Sequence, residues 1–265
     1  MSRYIIALVA LVTVHSACTR FNRAETETLN WSRAMPPGSE LRVRGVLGQV
    51  NIEASTTGQV EIQAVKHGRG DIRSVHVDMV AQGNDVTVCA SWRRSDGCRN
   101  VDGPRNGFSI FRRSHNDKIT VDFTLRVPPG VRVIAGTVIG SVTVRGATTD
   151  VTASSVSGTV DVWSHSGTVK ATAVNGDVAV RIDSLASAGA LVLHTVNGSA
   201  RAELPASIDA DVHLSTLNGE LRADYPLGTD QGGIVGHNFR GVIGKGGSRL
   251  ELTTVNGNVE LRKRG

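Results

Sequence analysis

The sequence predicts an all-β protein built as a β-solenoid-like stack of short strand repeats. Glycine accounts for 30 of the 265 residues and aromatic residues for only 4%, so the core is not of the usual bulky kind. Valine, threonine and glycine recur in short runs, a composition that favours strands and tight turns. A Thr-Val-Asn-Gly unit also returns through the second half of the chain, which indicates a repeat architecture.

The chain begins with the pattern of an export signal. Arg3 supplies a positive charge, and the apolar run at 4–14 is too short for a transmembrane helix, which needs ~20 residues. Ser16-Ala17-Cys18 resembles a lipoprotein signal, in which Cys18 is lipidated and becomes the first mature residue. His15 departs from that pattern, and ordinary cleavage beside an incidental Cys18 is the alternative. We expect a signal peptide at 1–17 and an exported, periplasmic or cell-surface protein with a lipid anchor in the membrane.

The cysteine count fits this interpretation. Three cysteines are present, and an odd number is awkward in an oxidising compartment. With lipid on Cys18, Cys89 and Cys98 remain as a pair, for which we predict a disulfide. A zinc site is the alternative, but eight intervening residues and no nearby histidine do not match zinc spacing.

Ahead of the repeats, the pattern predicts a tether and a first lobe. Residues 18–37 are polar, lack periodicity and end in Pro-Pro, as a tether would. Residues 38–127 form a strand-rich N-terminal lobe, interrupted by a basic loop at 90–117. That loop is either a solvated surface feature or a binding site for an anionic ligand. Its candidate binding residues are Trp92, Arg93, Arg94, Phe111, Arg112 and Arg113.

Residues 128–265 form the β-repeat domain. Its repeat glycines are separated by 18, 9, 9, 22, 21 and 38 residues, so the unit is about nine residues, and a glycine-rich insertion at 228–247 widens the last interval. Counting the residue before each glycine as zero, positions −6, −4, −1, +3 and +5 are apolar. Around Gly176 these are Val169, Ala171, Val174, Val178 and Val180. Residues 41–52 fit the same template.

The register of these positions favours corners over hairpins. Asn-Gly is a common two-residue hairpin turn. In such a hairpin, however, positions −1 and +2 would share one side, and here −1 is valine or leucine while +2 is polar. Taking −1 as core-facing, we expect a chain that bends at the glycine and continues round a narrow core. A β-sandwich of hairpins is the alternative.

These motifs resemble a known family. The Pro-Gly strand starts at 37–43 and 129–133, the serial Thr-Val-Asn-Gly units and the ending at 255–261 are similar to the bacterial "putative adhesin" β-repeat family. The resemblance covers roughly residues 37–265. It implies an envelope location and a role in adhesion or scaffolding, and it supplies no catalytic residues. The basic loop departs from the family pattern.

The chemistry-bearing residues do not form a recognised catalytic motif. No nucleophile elbow, zinc-binding helix or phosphate loop occurs in the sequence. His165, His194 and His213 fall within repeat units, and the last two could approach each other on adjacent coils, but isolated exposed histidines are the more common outcome. We predict no catalytic residues, no metal and no cofactor.

The expected function is therefore that of a non-catalytic envelope protein, adhesin-like or a scaffold, presenting a repeat β surface. The net charge of +5 and the isoelectric point near 9.5 favour anionic envelope polymers or lipids, or another protein, as partners, and nucleic acid is not expected. The alternatives are a carbohydrate-active enzyme on a β-solenoid, which would need clustered carboxylates, and a purely structural spacer.

Overall fold

The computed structural model describes residues 25–91, 98, 118–185, 189–226 and 236–264. Within them the chain forms strands and one 3₁₀ turn, Ile72–Ser74. The strands are β1 (Glu25–Ala34), β2 (Glu40–Arg44), β3 (Val50–Ala54), β4 (Gln59–Arg69), β5 (His76–Gln82), β6 (Asp85–Ser91), β7 (Lys118–Val127), β8 (Arg132–Ile139), β9 (Val142–Ala147), β10 (Val151–Ser157), β11 (Val160–Ser164), β12 (Val169–Asn175), β13 (Val178–Ile182), β14 (Ala190–His194), β15 (Ala200–Pro205), β16 (Ala210–Asn218), β17 (Leu221–Ala223), β18 (His237–Ile243), β19 (Ser248–Asn256) and β20 (Val259–Arg264).

The strands form two ten-stranded sheets that face each other across the core. Sheet A has the order β1-β4-β7-β3-β9-β11-β13-β15-β20-β17, and sheet B the order β18-β16-β19-β14-β12-β10-β8-β2-β6-β5. From β8 to β17 the chain alternates between the sheets, and these strands pair in parallel with their neighbours from other coils. The Asn-Gly units therefore join strands of different sheets, which confirms the solenoid-like stack and does not fit the hairpin sandwich.

The order of the coils in space differs from their order in sequence. We call a coil one strand of sheet B followed by the next strand of sheet A. The β19/β20 coil inserts between β14/β15 and β16/β17, because β19 pairs with both β14 and β16, and β20 with both β15 and β17. Similarly, β2/β3 lies between β6/β7 and β8/β9. The long last glycine interval thus contains β17 of the outer coil, the antiparallel edge strand β18 and the returning strand β19.

The N-terminal lobe continues the same two sheets, so no break separates 38–127 from the repeat domain. Residues 25–34, expected as tether, form β1, which pairs along its whole length with β4. Leu29 and Trp31 of β1 pack against the core. Lys66 of β4, whose side chain is only 7% exposed, is neutralised by Glu27 at 2.5 Å. The polar appearance of this segment reflects an edge strand with one solvent-facing side.

The inward-facing residues of the repeats are small and aliphatic. Positions −6, −4, +3 and +5 are buried, as predicted, except for Leu221 and Ala223 on the edge strand β17, which are partly buried. Around Gly176 these positions are Val169, Ala171, Val178 and Val180, each at most 2% exposed. Position −1 differs from the expectation. Strand alternation continues inward at −2, so −1 points outward and leaves an exposed valine row on sheet B. Its members are Val156, Val174, Val196, Leu217 and Val255, each 39–48% exposed.

The corner glycines bring the backbones of neighbouring coils together. Gly176 has φ +153°, and a Cβ placed on it would lie 2.2 Å from the carbonyl oxygen of Gly158. Its N–H donates a 2.9 Å hydrogen bond to the carbonyl of Asn197 in the next coil. The same close approach recurs through the stack. In spatial order the ladder is Gly48, Gly140, Gly158, Gly176, Gly198, Gly257 and Gly219.

A ladder of buried hydroxyls runs beside the glycines. At position −2, each hydroxyl donates to the carbonyl of the corner glycine in the adjacent coil, at 2.7–3.1 Å. The donors are Thr137, Ser155, Thr195, Thr216 and Thr254. Ala173 occupies the equivalent position in its own coil and brings no hydroxyl to Gly158. The hydroxyl explains why an inward position in an apolar core is so often threonine.

Replacing a corner glycine should destabilise the stack. We expect Gly176→Ala to lower the free energy of unfolding by at least about 2 kcal/mol, since the methyl group meets a backbone carbonyl and φ is unfavourable for alanine. Urea denaturation followed by circular dichroism measures the change. Gly58→Ala is the matched control, because a Cβ there has no atom within 4 Å. Equal effects of the two variants would contradict the role of the corner.

The hydroxyl ladder predicts changes of opposite sign at two positions. Thr195→Val keeps the shape but removes the donor to Gly176, and should cost about 1 kcal/mol. Ala173→Ser supplies the missing donor to Gly158, and should raise the free energy of unfolding by up to about 1 kcal/mol. Both values come from the same denaturation assay. A destabilised Ala173→Ser or an unchanged Thr195→Val would be inconsistent with this ladder.

Candidate functional site

Most of the site residues predicted from the sequence lie outside the described residues. This applies to the lipidation candidate Cys18 and to the loop residues Trp92, Arg93, Arg94, Phe111, Arg112 and Arg113. The cysteine pair is described. Cys89 and Cys98 are joined by a disulfide with a Cα–Cα distance of 5.6 Å, as the sequence predicts, and Cys89 is fully buried in β6.

The outer face of sheet B brings His194 and His213 to either side of Glu251. His194 Nε2 lies 3.8 Å from Glu251 Oε1. Burial alone would raise the pKa of Glu251, but the hydrogen bond and charge of Arg249, with His194 and His213, hold it below its usual value. The two histidines therefore flank one carboxylate, but they do not lie on adjacent coils as expected, because β19 separates β14 from β16. The described ranges contain no cluster of three His, Cys, Asp or Glu side chains that could hold a metal ion.

The outer face of sheet A carries a second and more distinctive arrangement. Parallel register places outward residues of successive strands in two rows across the sheet. One row consists of Thr143, Asp161, Ala179, Arg201 and Glu260. The other row consists of Arg145, Trp163, Arg181, Glu203 and Arg262.

Ala179 opens a depression in this face. Its methyl group stands between the longer side chains of Asp161 and Arg201 in the same row. The resulting depression has a volume of about 150 Å³, and the other row provides Trp163 and Arg181 as its wall. It is smaller than typical small-molecule pockets of roughly 300–1,000 Å³. The geometry therefore suits one ring or side group of a larger ligand.

The indole of Trp163 is held by three contacts. Its Nε1 donates to Asp183 Oδ2 at 3.3 Å. The guanidinium carbon of Arg181 lies 5.3 Å from the ring centroid, within the range of a cation–π interaction. The ring of His165 meets the indole in an edge arrangement at 5.5 Å. The aromatic surface is thus fixed before any ligand arrives.

Asp183 connects this cluster to the β19/β20 coil. Its carboxylate accepts from Trp163 and from Arg264 at the end of β20, and lies 2.6 Å from His165 Nδ1. Burial alone would raise the pKa of Asp183. The hydrogen bonds from Arg264, His165 and Trp163 outweigh that effect and hold the pKa below its usual value.

The arginines around the depression differ in their partners. Arg145 pairs with Asp161 at 3.1 Å, and Arg201 pairs with Glu260 at 2.9 Å. Arg181 stacks on Trp163 instead, and within the described part of the chain it has no carboxylate within 4.0 Å. Its guanidinium is therefore the cation of this site that remains available to an incoming anion.

Sequence reasoning did not find this site. The available signal was Trp163 itself, an aromatic residue at an outward position of a repeat that is otherwise poor in aromatics. The gap over Ala179 depends on which residues become neighbours in adjacent coils, and the contact with Arg264 joins residues 81 apart in sequence.

No helix in the described ranges is long and apolar enough to cross a membrane.

Comparison with solved structures finds several bacterial proteins. A "putative cell adhesion protein" from Clostridium sporogenes is 12% identical, with 90% of this chain and 100% of that chain covered and a TM-score of 0.46. A "putative adhesin" from Bacteroides fragilis is 11% identical, with 88% and 96% covered and a TM-score of 0.30. Another from Parabacteroides distasonis is 12% identical, with 90% and 97% covered and a TM-score of 0.23.

Part of the repeat domain matches a protein-family model. No curated protein matches the chain. Residues 135–262 match the family described as Toastrack DUF4097, which confirms the resemblance to an adhesin-like β-repeat family.

The Asp183 cluster predicts a pH-dependent stability. The pKa of Asp183 is lowered in the folded state. Its carboxylate therefore contributes fully to the free energy of unfolding at pH values above 3.8, the pKa in the unfolded chain, and this contribution is lost as the pH falls through the pKa of the folded state. At pH 7, Asp183→Asn should therefore lower the free energy of unfolding by about 1 kcal/mol. The difference from the parent should shrink at the acidic end of a series of urea denaturations between pH 7 and pH 2.5.

Glu203→Gln on the same face is the control for this series, because Glu203 forms no ion pair within the described residues. A deficit of Asp183→Asn that stayed constant down to the lowest pH would show that the carboxylate charge is not what stabilises the cluster.

Proposed function

We propose that the protein is a non-catalytic, adhesin-like interaction module of the bacterial cell envelope, a proposal supported by the match of residues 135–262 to the Toastrack DUF4097 family. The export pattern of residues 1–17 supports a periplasmic or cell-surface location, and Cys18 supports a lipid anchor. The module presents the outer face of its repeat sheets to an envelope partner.

The observation that carries this proposal is the composition of the outer face of sheet A. Its arginines and carboxylates alternate across many strands in separate pairs, such as Arg126 with Glu61 at 3.4 Å and Arg145 with Asp161 at 3.1 Å. A glycosidase instead needs two free carboxylates converging on one bond of the substrate, and of the two that border the depression, Asp161 and Glu203, the first is paired with Arg145. An extended surface of paired charges with a shallow depression favours recognition of an extended ligand over chemistry on a small one.

The structure of β1 limits the distance of the module from its anchor. Six residues, 19–24, separate Cys18 from the start of β1. A chain spans at most ~3.6 Å per residue, so the seven steps from Cys18 to Glu25 reach no further than ~25 Å. The stack itself extends over ten strands of sheet A at a spacing of ~4.8 Å. A lipid on Cys18 would therefore hold the β1 end close to the membrane.

The anchor and the module can be tested together in a bacterial host that processes lipoproteins. The full chain should sediment with membranes and require detergent for release, while Cys18→Ser should appear in the soluble exported fraction. The purified soluble variant should then cosediment with isolated cell envelopes without releasing soluble sugar from them. Unchanged fractionation of Cys18→Ser would contradict the anchor. Failure to cosediment would contradict the interaction module, and sugar release would favour the enzyme.

A further inference from the structure

We propose that the depression over Ala179 binds an acidic sugar residue of an envelope glycan. This proposal rests on the proposed function, since it names the ligand class of the same outer face. The site comprises the Ala179 floor, the Trp163 and Arg181 wall, and the polar groups of Asp161, Arg201 and Glu203.

The aromatic wall suits a sugar ring. Sugars present apolar C–H faces beside their hydroxyls, and an indole offers a large flat surface with little conformational entropy to lose. Three contacts already fix the ring of Trp163, so binding does not have to order it. The volume of about 150 Å³ limits the depression to a single ring.

Arg181 points to a negative charge on that ring. A guanidinium binds a carboxylate through two parallel hydrogen bonds, and Arg is the preferred residue for that geometry. The neighbouring arginines are already engaged, Arg145 by Asp161 and Arg201 by Glu260. The ligand's carboxylate would provide the partner that Arg181 does not have among the described residues.

Two carboxylates in the lining favour a sugar acid over a phosphate monoester. Asp161 and Glu203 border the same depression and would repel a phosphate monoester, which is close to doubly charged at pH 7, more strongly than a singly charged carboxylate. The same carboxylates accept hydrogen bonds from hydroxyl groups. A ligand with one carboxylate and several hydroxyls would pair its carboxylate with Arg181 and donate from its hydroxyls to Asp161 and Glu203. Uronic acids and related sugar acids have that combination of groups.

The site is open along the sheet, which suits an internal residue of a polymer. Rows of arginine and carboxylate side chains continue from the depression in both directions across sheet A, from Arg126 on β7 to Arg262 on β20. A glycan chain lying across the strands would place one ring in the depression and its neighbours over these rows. Affinity would then grow with the number of residues in the chain.

The test uses the full-length Cys18→Ser protein, polygalacturonate as the acidic glycan and dextran as the neutral one. We expect polygalacturonate to bind and dextran to bind at least about tenfold more weakly, since only the acidic polymer offers a carboxylate to Arg181. Isothermal titration calorimetry measures both affinities. Equal binding of the two polymers would overturn the acidic part of the proposal, and binding of neither would overturn the ligand class.

Three variants locate the site. Trp163→Ala removes the platform, Arg181→Gln removes the charge, and Ala179→Leu fills the floor without removing any contact. Each should weaken polygalacturonate binding about tenfold or more, while Arg132→Gln, an exposed arginine of sheet B, should stay within about twofold of the parent. Because Trp163→Ala could disturb the Asp183 cluster, Ala179→Leu and Arg181→Gln with a parent-like thermal unfolding midpoint decide the question.

The same variants separate this proposal from the broader one. If Ala179→Leu and Arg181→Gln bind polygalacturonate as well as the parent does, the site is wrong. If they lose polygalacturonate but still cosediment with envelopes, the module binds its envelope partner elsewhere, which overturns this depression as the envelope site and leaves the interaction module standing. Loss of both activities in the two variants supports both proposals.

Discussion

The close contact between corner glycines determines the rest of this structure. At each corner the backbone of one coil lies so near the next that a Cβ on Gly140, Gly158 or Gly198 would meet a carbonyl oxygen at 1.9–2.2 Å. That approach keeps the strands on both sides of the corner in parallel register across successive coils. The hydrogen bond from each corner N–H to the adjacent coil then closes the ladder at the place where the chain leaves one sheet for the other.

Constant register converts sequence position into rows of side chains. Position −2 becomes the hydroxyl ladder, position −1 the valine row, and position zero a ladder of amides in which Asn197 and Asn256 hydrogen-bond their neighbours at 2.7–2.8 Å. Each row stabilises the stack by repeating one interaction. A row in which every coil contributes the same kind of residue presents the same surface at every coil. Ala179 and Trp163 interrupt their rows, and the interruption is what creates a distinct site.

The sequence predicts what depends on neighbours along the chain and misses what depends on neighbours in space. Burial at −6, −4, +3 and +5 follows from strand alternation, and the disulfide follows from the cysteine count. Apolarity at position −1 wrongly predicts a core residue, because the parity of the strand turns side chains such as that of Val174 outward. The coil order could not be predicted, because every coil presents similar faces to any neighbour. The same holds for the depression over Ala179, whose walls come from four different strands.

The candidate site depends on the inserted β19/β20 coil, and therefore on completion of the stack. β20 reaches its place between β15 and β17 only after β16 and β17 have been passed in the chain, and it carries Arg264 to Asp183. Asp183 in turn fixes the indole nitrogen of Trp163 and contacts His165. A stack lacking this coil would keep Trp163 and Ala179 on neighbouring strands but lose the cation that stabilises the Asp183 carboxylate. The orientation of the aromatic wall is therefore a property of the assembled solenoid, and not of the coil that contains Trp163 alone.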